Sequence, residues 1–123
     1  MAIGLTQDRG IEFINKFIDG YNYKGTNGVD SDMGFISFYR DISVIDYIIG
    51  NIDTTLKGQF ATINDDISNE AGDIAFITPE GIEFWDDEAK HVVGICSLQE
   101  FRELLIAWKS FLQTPPFDGS KVD

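Results

Sequence analysis

The chain has 123 residues, with 21 acidic and 9 basic side chains and a formal charge of −12. A chain of this length fits one domain spanning residues 1–123, and its charge excludes direct binding to nucleic-acid phosphates, which needs an excess of Lys and Arg. With 43% hydrophobic and 24% charged residues, the composition is that of a folded domain and excludes a disordered segment.

The N-terminus, Met1 to Arg9, has no basic segment followed by an apolar run, so no secretory signal is expected. Ile11, Ile14 and Ile18 then recur at helical spacing, and Phe13 and Phe17 widen the apolar face. That pattern predicts an amphipathic helix over Asp8–Asp19, capped by Thr6 or Asp8 and ended by Gly20. Tyr21–Asp32 reads as a loop rich in Gly, Asn and Asp, and Gly34–Tyr39 as a short strand. Behind a capping Asp41, the stripe Ile42, Ile45, Ile49, Ile52 and Leu56 predicts a helix, against the lower helix propensity of its β-branched residues. Phe60–Ile63 reads as another short strand, followed by a polar turn region, Asn64–Gly72.

Asp73–Thr78 and Gly81–Trp85 read as strands joined by a turn at Pro79, Glu80 and Gly81, and Val92–Cys96 as a third. Ser97-Leu98-Gln99-Glu100 matches a capping box. Beyond it Leu98, Phe101, Leu104, Leu105, Trp108, Phe111 and Leu112 make a continuous apolar helical face, with Trp108 in the core. Pro115 and Pro116 stop that helix, and the tail from about residue 114 is expected to fray. The expected fold is α+β: a small antiparallel β-meander sheet with helices packed against it, including N-terminal and C-terminal amphipathic helices. The longest mostly apolar stretch, Ile42–Ile52, is broken by Ser43, Asp46, Gly50 and Asn51. It is far short of the roughly 20 residues that span a bilayer, so a cytoplasmic protein with no membrane partner is expected.

Few residues suggest bond-making chemistry. Cys96 is the sole cysteine, which rules out an intramolecular disulfide or a thiolate metal cluster, and its apolar neighbours Val93, Ile95 and Leu98 predict burial. His91 is the sole histidine, and no nucleophile elbow, P-loop or dinucleotide fingerprint is present. Carboxylate pairs remain open for acid–base work: Asp65-Asp66, Asp86-Asp87-Glu88, and Asp30 with Asp32. Asp30 to Gly34 lacks the remaining ligands and closing Glu of an EF-hand loop. No metal or cofactor is expected.

The charge distribution says more. Between Gly58 and Ala89 there are nine acids and no Lys or Arg. A single-sign field of this kind attracts cationic partners and speeds their association. In Gly81–Trp85, alternation puts Ile82 and Phe84 on one face, and Glu83 and Trp85 on the other. Trp85 is then either an aromatic anchor within the acidic patch or, if helices cover both faces, part of the core. The residues expected to bind a partner are Asp65, Asp66, Glu70, Glu83, Trp85, Asp86, Asp87 and Glu88.

Ile74-Ala75-Phe76-Ile77, Glu80-Gly81-Ile82-Glu83-Phe84-Trp85-Asp86, Ser97-Leu98-Gln99-Glu100-Phe101 and Leu104 to Leu112 together form a pattern. It resembles small immunity proteins encoded beside contact-dependent growth inhibition and related polymorphic toxins of bacteria. The resemblance spans Asp73 to Pro116, and no residue of the first 72 takes part in it. It implies a non-enzymatic cytoplasmic protein that binds one cognate toxin C-terminal domain, commonly a nuclease, in a 1:1 complex and neutralises it. Two other readings stay open: an acidic DNA-mimic inhibitor, and a small enzyme or ligand-binding domain built on a carboxylate pair.

Overall fold

The computed structural model describes residues 13–26, 35–68, 74–86 and 88–121. The architecture is α+β, with a two-stranded and a three-stranded antiparallel sheet and two long helices. The elements are β1 (Phe13–Ile18), β2 (Tyr21–Thr26), α1 (Ile42–Leu56), β3 (Ile74–Thr78), β4 (Gly81–Trp85), β5 (Val92–Cys96) and α2 (Leu98–Leu112).

The N-terminal amphipathic helix expected over Asp8–Asp19 is overturned from Phe13 onward, where the chain is strand β1; its start lies outside the described residues. Asp19 and Gly20 both take positive φ, 53° and 83°, and join β1 to β2 as a tight hairpin. Asp-Gly is a preferred pair for such a turn, because it tolerates the left-handed backbone at both central positions. Gly20 therefore ends a strand and does not cap a helix. The loop expected from Tyr21 is β2 as far as Thr26, and the rest of it lies outside the described residues. Phe35–Phe38 and Phe60–Thr62, both expected as strands, are single 3-10 turns.

Asp41 caps α1 as its sequence suggests, accepting from the Ser43 N–H at 2.9 Å. The buried face of α1 is Ile45, Ile48, Ile52 and Thr55, rotated from the predicted stripe so that Ile48 faces inward and Leu56 is exposed. Ser97 caps α2, its hydroxyl oxygen accepting from the Glu100 N–H at 3.0 Å. Leu98, Phe101, Leu104, Leu105, Trp108 and Leu112 are buried along α2. Two ion pairs clamp the helices together at their rim: Arg102 with Asp53 at 2.5 Å and Lys109 with Asp46 at 2.7 Å.

Strands β3, β4 and β5 pair in sequence order. The inner face of their sheet carries Ala75, Ile77, Ile82, Phe84 and Cys96, all buried against the helices. The Phe84 ring meets Phe101 of α2 edge-on at 5.9 Å. Gly81 opens β4 at φ 153°, and a Cβ there would lie 2.6 Å from the Cys96 carbonyl oxygen, so the β4–β5 contact requires glycine.

The β1–β2 hairpin joins this core through Phe13, whose ring packs on Trp108 and Phe111 of α2 at 5.4 and 5.5 Å. Beyond α2 the chain returns to β2. Asn22 donates its N–H to Ser120 and accepts from Gly119, both at 2.8 Å, and its side-chain amide donates to the Pro116 carbonyl at 2.9 Å. The Asp118 carboxylate accepts from the Lys24 N–H at 2.8 Å.

Candidate functional site: the outer face of the three-stranded sheet

Alternation along β4 places its side chains as the sequence indicates. Ile82 and Phe84 are buried, while Glu83 and Trp85 are half-buried on the opposite face. The cross-strand register then decides who stands beside them. Phe76 of β3 pairs with Glu83, and Glu83 pairs with Ile95 of β5. Asp66, in the segment before β3, forms an isolated bridge with Phe76. The Ile67 N–H donates to the Ala75 carbonyl at 3.0 Å and the Ile77 N–H to the Asp65 carbonyl at 2.8 Å, which fixes the register of that bridge. Side chains of directly opposed residues lie on the same face. One row therefore crosses the outer face in the order Asp66, Phe76, Glu83, Ile95, alternating acid and apolar.

A second row lies beside it. Ile74 pairs with Trp85, and Trp85 with Val92 across an irregularity at Phe84/Trp85. The Trp85 ring stands perpendicular to Phe76, with centroids 6.4 Å apart. This edge-to-face contact props the indole at the margin of the acidic row. Its Nε1 is buried and has no hydrogen-bond partner among the described residues. Strand β5 leaves Val92, Val93 and Ile95 exposed, the last two at 60% and 59%. These β-branched side chains extend the apolar surface to the sheet edge, where among the described residues β5 pairs only with β4.

The predicted binding residues separate into groups. Glu83, Trp85 and Asp66 share the outer face, and exposed Asp65 adjoins them. No described residue hydrogen-bonds or ion-pairs with the Glu83 carboxylate. Asp86 closes the β4–β5 connection, its carboxylate accepting from the Lys90 N–H at 2.8 Å and its own N–H donating to the His91 carbonyl at 2.9 Å. That backbone hydrogen bond from Lys90 holds the Asp86 carboxyl below its ordinary range. Glu88 pairs with Lys90 at 2.9 Å, both side chains being exposed. Glu70 and Asp87 lie outside the described residues, as do Asp30 and Asp32.

Phe76, Val92, Val93 and Ile95 were not singled out from sequence, although the period-2 alternation of β3 and β5 already marks Phe76 and Ile95 as facing away from the core. Among the described residues, no group of three or more His, Cys, Asp or Glu could hold a metal ion. His91 is exposed and Cys96 buried. No helix among the described residues is long and apolar enough to cross a membrane. Compared with protein-family models, curated proteins and solved structures, the chain gives no match.

What this face can do follows from its chemistry. Carboxylates set between apolar side chains keep the surface hydrated while it is free. They offer partners for cations when an apolar collar closes over it. The indole of Trp85, the cross-strand Phe76 and the aliphatic edge supply contact area of the kind that dominates binding energy.

Proposed function

We propose that this chain is an immunity protein, acting in the cytoplasm, that binds a cognate bacterial toxin domain with a basic surface and neutralises it in a 1:1 complex. The observation that carries the reading is the outer face of β3–β4–β5, where Asp66 and Glu83 alternate with Phe76 and Ile95 beside Trp85. A toxin that cleaves nucleic acid presents cations for phosphates. An acidic protein of net charge −12 is steered toward such a cleft and covers it. A mimic of nucleic acid would line up carboxylates without interruption, whereas here apolar side chains interrupt them, which favours a protein-binding surface with an apolar core. The chain does its work by occupancy and has no reaction to catalyse.

The test is co-expression with the C-terminal domain encoded by the gene immediately upstream. The expected result is that this domain arrests growth alone, that the chain restores growth, and that the two co-purify. Glu83→Lys should weaken the complex and Trp85→Ala should speed its dissociation, with the fold unchanged in both. A harmless neighbour, or one that kills despite the chain, removes the reading.

A further inference from the structure

The row on the outer face has a spacing, and the spacing selects a partner geometry. Asp66 and Glu83 stand on either side of Phe76, two inter-strand steps apart, which places their Cα atoms about 10 Å from each other, and the Asp66 carboxylate also accepts from the Ser68 N–H at 2.9 Å. A partner strand presents same-face side chains about 7 Å or 14 Å apart, which misses both carboxylates at once. A partner helix presents positions i and i+7 on one face about 10.5 Å apart, with i+3 and i+4 between them.

We infer that the row Asp66, Phe76, Glu83, Ile95 receives an amphipathic basic helix lying across the strands. Its cations at i and i+7 meet Asp66 and Glu83, and its apolar residues at i+3/i+4 and i+10/i+11 cover Phe76 and Ile95. The inference rests on the outer face being the docking surface of the proposed function, and names what docks there. Charge complementarity selects this occupant. Glu83 has no partner among the described residues, and Lys90, the cation of the neighbouring β4–β5 connection, is taken by Glu88. A second copy of the chain would bring another −12 of charge to the same face.

The inner face of the same sheet is covered by α2, whose Phe101 packs on Phe84. On the outer side the Trp85 ring stands edge-on to Phe76 and forms one wall beside the row, while exposed Val93 and Ile95 continue the surface to the edge of β5. Arginine suits the two cationic positions better than lysine, because its planar guanidinium can engage a carboxylate and lie along an aromatic ring together.

Two synthetic helical peptides of about 16 residues and identical composition test this. The matched peptide carries Arg at i and i+7 on the same face as Leu at i+3, i+4, i+10 and i+11. The control moves both Arg residues to the opposite face. Binding is read by fluorescence anisotropy, and the Trp85 indole N–H is followed by NMR. The matched peptide should bind at least about tenfold more tightly than the control and shift the Trp85 resonance. Glu83→Gln and Asp66→Asn should each weaken the matched peptide about fivefold and leave the control unchanged. Equal affinity for the two peptides, or a matched affinity indifferent to Glu83→Gln, overturns the inference. So does concentration-dependent dimerisation abolished by Glu83→Gln, which would assign the face to a second copy. The two assays fail separately: a harmless genetic neighbour removes the immunity reading and leaves the helix site, while equal peptide affinities do the reverse.

Discussion

The indole N–H of Trp108 donates to the backbone carbonyl of Tyr39 at 2.8 Å, joining the middle of α2 to the turn that leads into α1. Both groups are buried, and Trp108 is fully so. The other tryptophan differs in the same atom, since the buried Nε1 of Trp85 has no partner among the described residues. The two indoles thus separate a fully buried ring hydrogen-bonded into the fold from a half-buried ring on the outer face of the sheet.

This contrast predicts opposite responses to one substitution. Trp108→Phe removes this hydrogen bond and leaves a void among Phe13, Phe111 and the core, and should destabilise the protein by about 2–4 kcal/mol. Trp85→Phe removes an N–H that makes no hydrogen bond among the described residues and keeps the ring beside Phe76, so its cost should stay within about 1 kcal/mol. Urea unfolding of both variants measures the difference, and equal losses would contradict it.

Lys24 is a buried cation, 1% exposed, with Nζ donating to the Asn15 Oδ1 at 2.9 Å and lying 3.9 Å from the centroid of the Phe111 ring. Burial pushes its ammonium below the ordinary lysine value of 10.5, partly opposed by Asp118. A depressed lysine pKa means the folded state holds that proton less tightly than the unfolded chain. The resulting penalty is full below the folded pKa and fades as pH rises toward 10.5. Stability relative to Lys24→Met should therefore shift in favour of the native chain between neutral pH and about pH 10. The variant keeps Asn15 occupied, because the Asn22 amide also donates to it at 3.2 Å. An unchanged difference across that range would show that the ammonium is not perturbed.

Asp41 and Asp86 supply an acid-side prediction. The Ser43 hydroxyl and N–H hold the Asp41 carboxyl below 3.8, and the Lys90 N–H does the same for Asp86. Each depressed pKa contributes stability that is present above the ordinary value and lost as pH falls through the folded one. Thermal unfolding followed downward from about pH 6 should show native protein losing more on acidification than Asp86→Asn, which has no carboxylate to protonate. Parallel acid limbs for the two proteins would refute it.

The legible parts of the fold are those decided within a few residues. Ser97 and Glu100 are three apart, so the cap of α2 is visible as a motif, and so is Asp41 before α1. The alternation of Ile82, Glu83, Phe84 and Trp85 is visible for the same reason. The N-terminal segment misled because Ile14, Phe17 and Ile18 satisfy helical spacing, while neither alternating set, Phe13/Asn15/Phe17 or Ile14/Lys16/Ile18, is uniformly apolar, so no strand signal opposed the helix. Pairing with β2 and the contact of Phe13 with Trp108 decide for a strand. In α1, β-branched residues on every side blur the stripe, and packing chose Ile48 over Leu56.

By itself, the sequence determined the charge of −12, the acid-only stretch from Gly58 to Ala89, the capped helix α2 and which β4 residues share a face. Each of these follows from composition or from spacing along a single element. Only the tertiary structure decided that Asp66, Phe76, Glu83 and Ile95 form one row. Register does so because it is set by hydrogen bonds between segments distant in the chain, and a slip of one residue would turn every side chain of a strand to the other face.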